Sequence, residues 1–218
     1  MNPKDTWVII PGYNEEKNIA KVIENTLKFC KNIVVVDDGS SDRTSKNAAK
    51  AIVLKHIINL GKGAALKTGV EYAIKQGAKI IVALDADGQH NPAMIPEFLK
   101  ALDNCDIVFG YRKLSGRMPL IMRLGNWTIN TMAEILFGIK LKDTQSGYRA
   151  FKTKAYRKLR WNATDYFVET EMIANVGKKK LKYKQIPIAT IYADKYKGTT
   201  VIDGIKIVLN MIWWRITK

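Results

Sequence analysis

Along the first 110 residues, short apolar runs rich in Val and Ile alternate with stretches whose apolar residues recur every three or four positions. The runs are "TWVIIP", "NIVVVDDG", "KAIVLK" and "AKIIVALDADG"; between them lie "NIAKVIENTLKFC" and "GAALKTGVEYAIKQG". Ile19, Val22, Ile23, Thr26, Phe29 and Cys30 fall on one helical face, whereas "IVVV" and "IIVAL" lack polar alternation, as strands buried on both faces do. This rhythm predicts an α/β fold: a Rossmann-like, mostly parallel open sheet flanked by helices. Ligands of such sheets sit beyond the carboxyl ends of the strands. Three predicted strand ends carry polar clusters, "PGYNEE" from residue 11, "DDGSSDRT" from 37 and "DADGQH" from 85, so all three are expected to line one crevice.

After a further strand, "CDIVFGYR", the pattern changes. Met, Trp, Ile and Leu mix with Arg through "KLSGRMPLIMRLGNWTINTMAEILFGIK", which reads as helix with much apolar surface. The polar stretch "KDTQSGYRAFK" follows, then a helix leading into a strand over "YFVETEMIANVGKKKLKYKQIPI". In the tail "VIDGIKIVLNMIWWRITK", Asp203, Lys206, Asn210 and Thr217 lie near one narrow stripe, and the apolar remainder suits a helix packed on a core or lying in a membrane interface. Arg123 and Glu134 interrupt the most apolar window, so no membrane span is expected. The start, "MNPKDTWVII", resembles neither a signal nor a transit peptide, and Cys30 and Cys105 lack metal-ligand spacing, which together point to a cytoplasmic protein with free thiols.

Charge sharpens the contrast between the halves. Residues 1–110 hold 14 basic and 13 acidic side chains, residues 111–218 hold 22 and 7, and the whole chain of 218 carries +16. The second half is expected to meet a polyanionic or phosphate-bearing partner.

Asp85 and Asp87, expected on one side of the pleat at a strand end, repel each other unless a cation neutralises them. Hard oxygen ligands favour Mg²⁺ or Mn²⁺ shared with a substrate phosphate, with the Gln89 carbonyl as a third ligand. The competing reading is an Asx-type turn closing the strand, which Gly88 favours. Ser41 or Asp42 is expected to cap a helix, while Asp38 is placed to accept hydrogen bonds from a ribose or base. "GKGAALKT" approaches a phosphate-binding P-loop, but Leu66 stands at the second Gly position; the stretch reads as a helix start, with Lys62 or Lys67 at most grazing a ligand. His56 and His90 form no cluster, which disfavours nucleophilic hydrolysis. A nucleic-acid-binding protein would share the basic charge and aromatic residues but has no use for paired carboxylates.

Taken together, "IIPGYNEE", "VVVDDGSSDRT", "LDADGQH" and "DTQSGYRAF" resemble the signature set of family 2 glycosyltransferases of the GT-A fold, and more narrowly the polyprenyl-phosphate (dolichyl-phosphate) mannose and glucose synthases. The resemblance spans residues 7 to about 190. It implies an inverting transfer of a hexose from a nucleotide-sugar to a polyprenyl phosphate, with a glycan acceptor as the alternative. It makes Asp85, Asp87 and Gln89 the metal and donor-diphosphate ligands, and places Pro11, Tyr13, Asn14, Glu15 and Asp38 around the nucleotide. Asp143, Gln145 and Arg149 would face the reacting sugar and acceptor phosphate, with Asp87 also catalytic. Arg112, Arg117, Arg123 and Arg149 would grip the lipid phosphate. Mannose with guanosine, and glucose or N-acetylglucosamine with uridine, stay open. The implied organisation is a catalytic domain over residues 1–200, with a nucleotide-sugar half (1–112) and an acceptor half (113–200), followed by an amphipathic helix over 201–218. Contact with the membrane would be peripheral, at the cytoplasmic face, or through an integral-membrane partner.

Overall fold

A computed structural model describes residues 3–112, 120–189 and 201–217. Seven strands form one sheet: β1 (Thr6–Gly12), β2 (Ile33–Asp37), β3 (Ile52–Lys55), β4 (Ile80–Ala83), β5 (Ile107–Arg112), β6 (Arg149–Lys152) and β7 (Tyr183–Ile188), in the order β3-β2-β1-β4-β6-β5-β7. The helices that cover it include α1 (Ile19–Leu27), α2 (Thr44–Asn47), α3 (Lys62–Lys75), α4 (Ile95–Ala101), α5 (Leu120–Phe137), α6 (Thr153–Leu159), α7 (Val168–Lys178) and α8 (Val201–Thr217).

Alternate residues of each central strand enter opposite cores, which explains the unbroken apolar runs. Trp7, Ile9, Val34, Val36 and Ile81 join the cluster that also holds residues of α3, α5, α7 and α8. Val8, Ile10, Ile33, Val35, Ile80 and Val82 face the other way, toward α1 and α4.

β1 pairs in parallel with β2 and with β4, so Gly12 stands beside Asp37, and Ile9 beside Ala83. The three polar clusters therefore issue from neighbouring strands at one sheet edge. One strand departs from the sequence pattern. β6, part of the stretch read as polar, inserts antiparallel between β4 and β5, opposing Arg149 to Ala83 on one side and Phe109 on the other. Four residues are too short to display a period, and tertiary pairing decides the matter. The insertion seats "DTQSGYR" directly beyond the end of β4.

The tail helix packs on the core, one of the two placements expected of it, and leaves an apolar face exposed. Ile207, Met211 and Trp214 are buried in the core shared with α5 and α7, while Ile205, Leu209, Ile212, Trp213 and Ile216 are exposed.

Candidate active site

The loops after β1 and β2 are knitted together by their own polar groups. Asn14, in the left-handed region at φ 55°, donates its N–H to Ser40 Oγ (2.9 Å), and its Oδ1 accepts from Ser41 N (3.0 Å). Glu15 N donates to Thr44 Oγ1 (2.8 Å), and Asn18 Nδ2 donates to Glu15 Oε2 (2.7 Å). The N-cap of α2 is Arg43 rather than the expected Ser41 or Asp42; Asp42, one residue earlier, accepts from Thr44 N through Oδ1 at 2.9 Å and from Glu16 N through Oδ2. Tyr13 stays half-exposed on this rim, and Pro11 lies deeper, on the pocket wall.

Asp38 carries a structural task besides the one expected of it. It is buried, and its carboxylate already serves the chain: Oδ1 meets His56 Nδ1 at 2.6 Å and accepts from Leu60 N at 3.0 Å, while Oδ2 accepts from Gly61 N at 2.7 Å. Three of roughly four lone-pair directions are taken. Asp38 thus holds the loop that delivers α3, and His56, whose Nε2 meets Thr68 Oγ1 at 3.0 Å, pins that loop to the helix.

α3 begins at Lys62, so the P-loop reading fails as expected, but the two glycines have a purpose. A Cβ on Gly61 would lie 2.4 Å from the Thr164 carbonyl oxygen, and one on Gly63 would lie 2.3 Å from that of Ala163. Only glycines let the start of α3 press against the loop that precedes α7, where Ala64 N donates to Thr164 O and Trp161 Nε1 to Gly63 O (both 2.9 Å). This contact brings Lys62 and Glu169 together.

Lys62 is central, contrary to the expectation that it grazes a ligand. Its Nζ bridges Asp85 Oδ1 and Glu169 Oε1, each at 2.7 Å. These three line one pocket with Pro11, Gly147 and Arg149. Burial opposes ionisation of Asp85, but the Lys62 charge, and then that of His90, outweigh it and hold the carboxyl at about 2. The same pairing, Asp85 first and Glu169 second, outweighs burial at Lys62 and pushes its ammonium up. Burial and the neighbouring Asp85 charge push Asp87 up.

The acidic pair lies in a turn rather than on a pleat, because β4 stops at Ala83 and Gly88 takes φ 77°. Asp87 Oδ1 accepts from Gln89 N at 2.9 Å, so the turn and the acidic pair are one feature. His90 supports it from below: its Nδ1 faces Asp85 N at 3.4 Å, its ring packs on Tyr148 (5.1 Å), and burial lowers its affinity for a proton.

The donor set suits a hard divalent ion. The two carboxylates sit close enough for the charge of one to raise the affinity of the other for a proton, and Gly147 approaches so nearly that a Cβ there would stand 2.6–2.7 Å from the Asp85 oxygens. Among the described residues no three His, Cys, Asp or Glu side chains group to hold an ion alone. A site of this kind takes its remaining oxygens from a diphosphate.

The residues expected around the acceptor are engaged with the protein. Arg112 grips Asp143 at two points, Nε–Oδ2 at 2.7 Å and Nη2–Oδ1 at 3.1 Å, and Gln145 N donates to Asp143 Oδ1 at 3.1 Å. Arg149 is buried. Its Nε, Nη1 and Nη2 donate to the carbonyls of Ser146 (3.1 Å), Glu169 (2.7 Å) and Thr144 (3.0 Å), and its guanidinium lies 5.1 Å from the Phe109 ring centroid. Burial lowers its pKa to about 10. Arg117 lies outside the described residues, and Arg123 is placed in α5 by its backbone.

The Glycosyl transferase family 2 model matches residues 7–160, the span from β1 to α6 that carries the acidic turn and the β6 insertion. The chain belongs to glycosyl transferase family 2. Among its family 2 relatives is the UDP-N-acetylglucosamine--dolichyl-phosphate N-acetylglucosaminyltransferase of Methanococcus voltae, 35% identical over 100% of this chain and 99% of that protein. The polyprenol monophosphomannose synthase of Mycolicibacterium smegmatis is 28% identical over 93% and 82%. The family 2 fold is shared with glucosyl-3-phosphoglycerate synthase of Mycobacterium tuberculosis, solved with Mn²⁺, UDP and phosphoglyceric acid, at a TM-score of 0.75 and 20% identity over 96% of this chain and 78% of that one. These matches bear out the GT-A architecture and the family read from the motifs.

Proposed function

We propose that this family 2 transferase moves a hexose from a nucleoside-diphosphate sugar to a polyprenyl (dolichyl) phosphate, with inversion at the anomeric carbon. The observation that carries the reading is likeness over the full length, acceptor half included, to a transferase whose name specifies dolichyl phosphate. Asp85, Asp87 and Gln89 are the residues that would hold Mg²⁺ or Mn²⁺. When bound, such an ion supplies charge neutralisation as the nucleoside diphosphate departs.

The chain's own groups do the rest. Lys62 has three N–H donors, two of which go to Asp85 and Glu169, leaving one for a diphosphate oxygen. Tyr13, Asn14 and Glu15 form the rim on which the nucleotide rests, with Pro11 on the wall below, above the loop that Asp38 holds. The attacking phosphate monoester has a second pKa of about 6 and arrives largely ionised, so no general base is required. Positioning two anions that repel is the harder task, and it falls to cations. Arg112, oriented by Asp143 and the Gln145 loop, is the cation that would meet the acceptor phosphate, with Arg117 and Arg123 as further candidates from the sequence, while Arg149 braces the loop from beneath. The enzyme works peripherally at the cytoplasmic face of the membrane.

The test is incubation with polyprenyl phosphate, Mg²⁺ or Mn²⁺ and labelled UDP-N-acetylglucosamine, UDP-glucose or GDP-mannose, followed by solvent partition. Label from one donor is expected in the lipid phase. Label in an added glycan but never in lipid would replace the acceptor assignment.

A further inference from the structure

Glu169, at the start of α7, is 6% exposed and lines the pocket beside Asp85. Its Oε1 is bound to Lys62, but its Oε2 is buried with no hydrogen-bonding partner. Buried carboxylate oxygens are seldom left so, because desolvation costs on the order of 1–3 kcal/mol or more. Its backbone carbonyl accepts from Arg149 Nη1 at 2.7 Å, which ties the start of α7 to the pocket. Ser146 Oγ, in the loop braced by the same arginine, and Thr170 Oγ1, on the next residue of α7, are likewise buried without a partner.

The chemistry of the orphan oxygen selects its ligand. A carboxylate only accepts, and it repels phosphate, so the diphosphate does not belong against it. A sugar hydroxyl donates, and so does an acetamido N–H. Lys62 marks the boundary, because its ammonium joins Glu169 to Asp85 on the diphosphate side.

We propose that Glu169 reads the donor sugar, its Oε2 accepting a hydrogen bond from a hydroxyl or acetamido group of the hexose held next to Asp85. The assignment rests on the transferase reading above. It makes Glu169 a specificity-determining residue, separate from the groups that hold the nucleoside diphosphate. A site built to bond a polar substituent rejects a sugar that lacks it far more strongly than an apolar pocket rejects an extra group.

Titration calorimetry of the full chain in Mg²⁺ compares UDP and GDP with UDP-N-acetylglucosamine, UDP-glucose and GDP-mannose. In Glu169→Ala, affinity for the bare nucleotide is expected within about threefold of the parent, while the extra affinity contributed by the preferred sugar falls at least about tenfold. Lys62→Met is expected to weaken bare and sugar-bearing nucleotides alike. Equal losses for both in Glu169→Ala would make the residue a support for Lys62 and overturn the proposal, as would a loss that excess Mg²⁺ restores, or no loss. If Glu169→Ala does not fold, the same comparison in Glu169→Gln decides, with a loss confined to sugar-bearing nucleotides again expected. A parent protein that binds none of the five nucleotides would instead remove the transferase reading itself.

Discussion

Arg112 and Asp143 close on each other through two parallel N–H···O contacts of 2.7 and 3.1 Å, joining the end of β5 to the loop before β6. Asp143 is 3% exposed and also accepts from the N–H groups of Arg112 and Gln145. Two residues that the motifs assigned to different tasks thus form one unit. Arg112→Ala strands a buried carboxylate and is expected to cost about 3 kcal/mol, since removing one partner of a buried pair typically costs about 3–5 kcal/mol. Arg112→Lys keeps the charge but loses the fork and is expected to recover less than half. Urea midpoints measure both, and a cost below about 0.5 kcal/mol for Arg112→Ala would show that the pair does not hold the loop.

Asp87→Asn separates the turn from the ion. The amide oxygen of Asn still accepts from Gln89 N, so the turn survives, but the negative charge is gone. Transfer is expected to fall at least about a hundredfold with little change in melting temperature, the order of effect seen when one group stabilising developing charge is removed. Donor binding should tighten with Mg²⁺ in the parent and not in the variant. Metal-dependent turnover at the parental rate would end the metal assignment.

Much of this architecture was legible because its causes are local. The apolar strands, the period of α1 and the clusters at the ends of β1, β2 and β4 depend on residues within a few positions of one another. Glu169 was missed, and Lys62 read as at most grazing a ligand, for the opposite reason. They meet across 107 positions, through a contact of Gly61 and Gly63 with residues 163–165 that leaves no periodic trace. The "GKG" triplet was the available signal: two glycines around a lysine in a poor P-loop suggest close backbone approach. The structural task of Asp38 was not legible either, because a strand-end carboxylate looks identical in sequence whether or not it also holds its own loop.

Gly147→Ala tests how tightly the β6 loop closes on the site. The added Cβ would meet Asp85 Oδ1 and Oδ2 at 2.7 and 2.6 Å and Lys62 Nζ at 2.9 Å. Something must shift, and the mobile parts are the two functional side chains rather than the sheet. We expect a stability loss of about 1–2 kcal/mol, as for modest overpacking, together with a rise in donor KM of at least about tenfold. A parental KM would place the donor away from Asp85.

Arg149→Ala is expected to behave differently from loss of a phosphate-binding side chain. Three carbonyls lose their donor at once, those of Thr144, Ser146 and Glu169, inside the protein. At about 1.5 kcal/mol or more for each bond to a charged group, the loss is about 4–5 kcal/mol or more, with donor and acceptor dependence impaired together. A selective rise in the requirement for polyprenyl phosphate, with stability intact, would restore the direct grip on the acceptor.

The exposed stripe of α8 sets the terms for testing membrane contact. Ile205, Leu209, Ile212 and Ile216 recur at four, three and four residues, with Trp213 alongside, while Ile207, Met211 and Trp214 face the core. Removing residues 201–218 would therefore uncover the core against α5 and α7, and weakened vesicle binding by that truncation would confuse unfolding with loss of an anchor. Leu209→Ser, Trp213→Ser and Ile216→Ser combined leave the buried row intact, at positions 61, 62 and 77% exposed. Stability is expected to change by less than about 1 kcal/mol, since exposed substitutions individually stay within about 0.5 kcal/mol. Each of the three side chains contributes about 1.5–3 kcal/mol if it enters the headgroup boundary, so sedimentation with anionic vesicles should weaken at least about a hundredfold. Undiminished sedimentation of a folded triple variant would mean that the stripe faces something other than lipid.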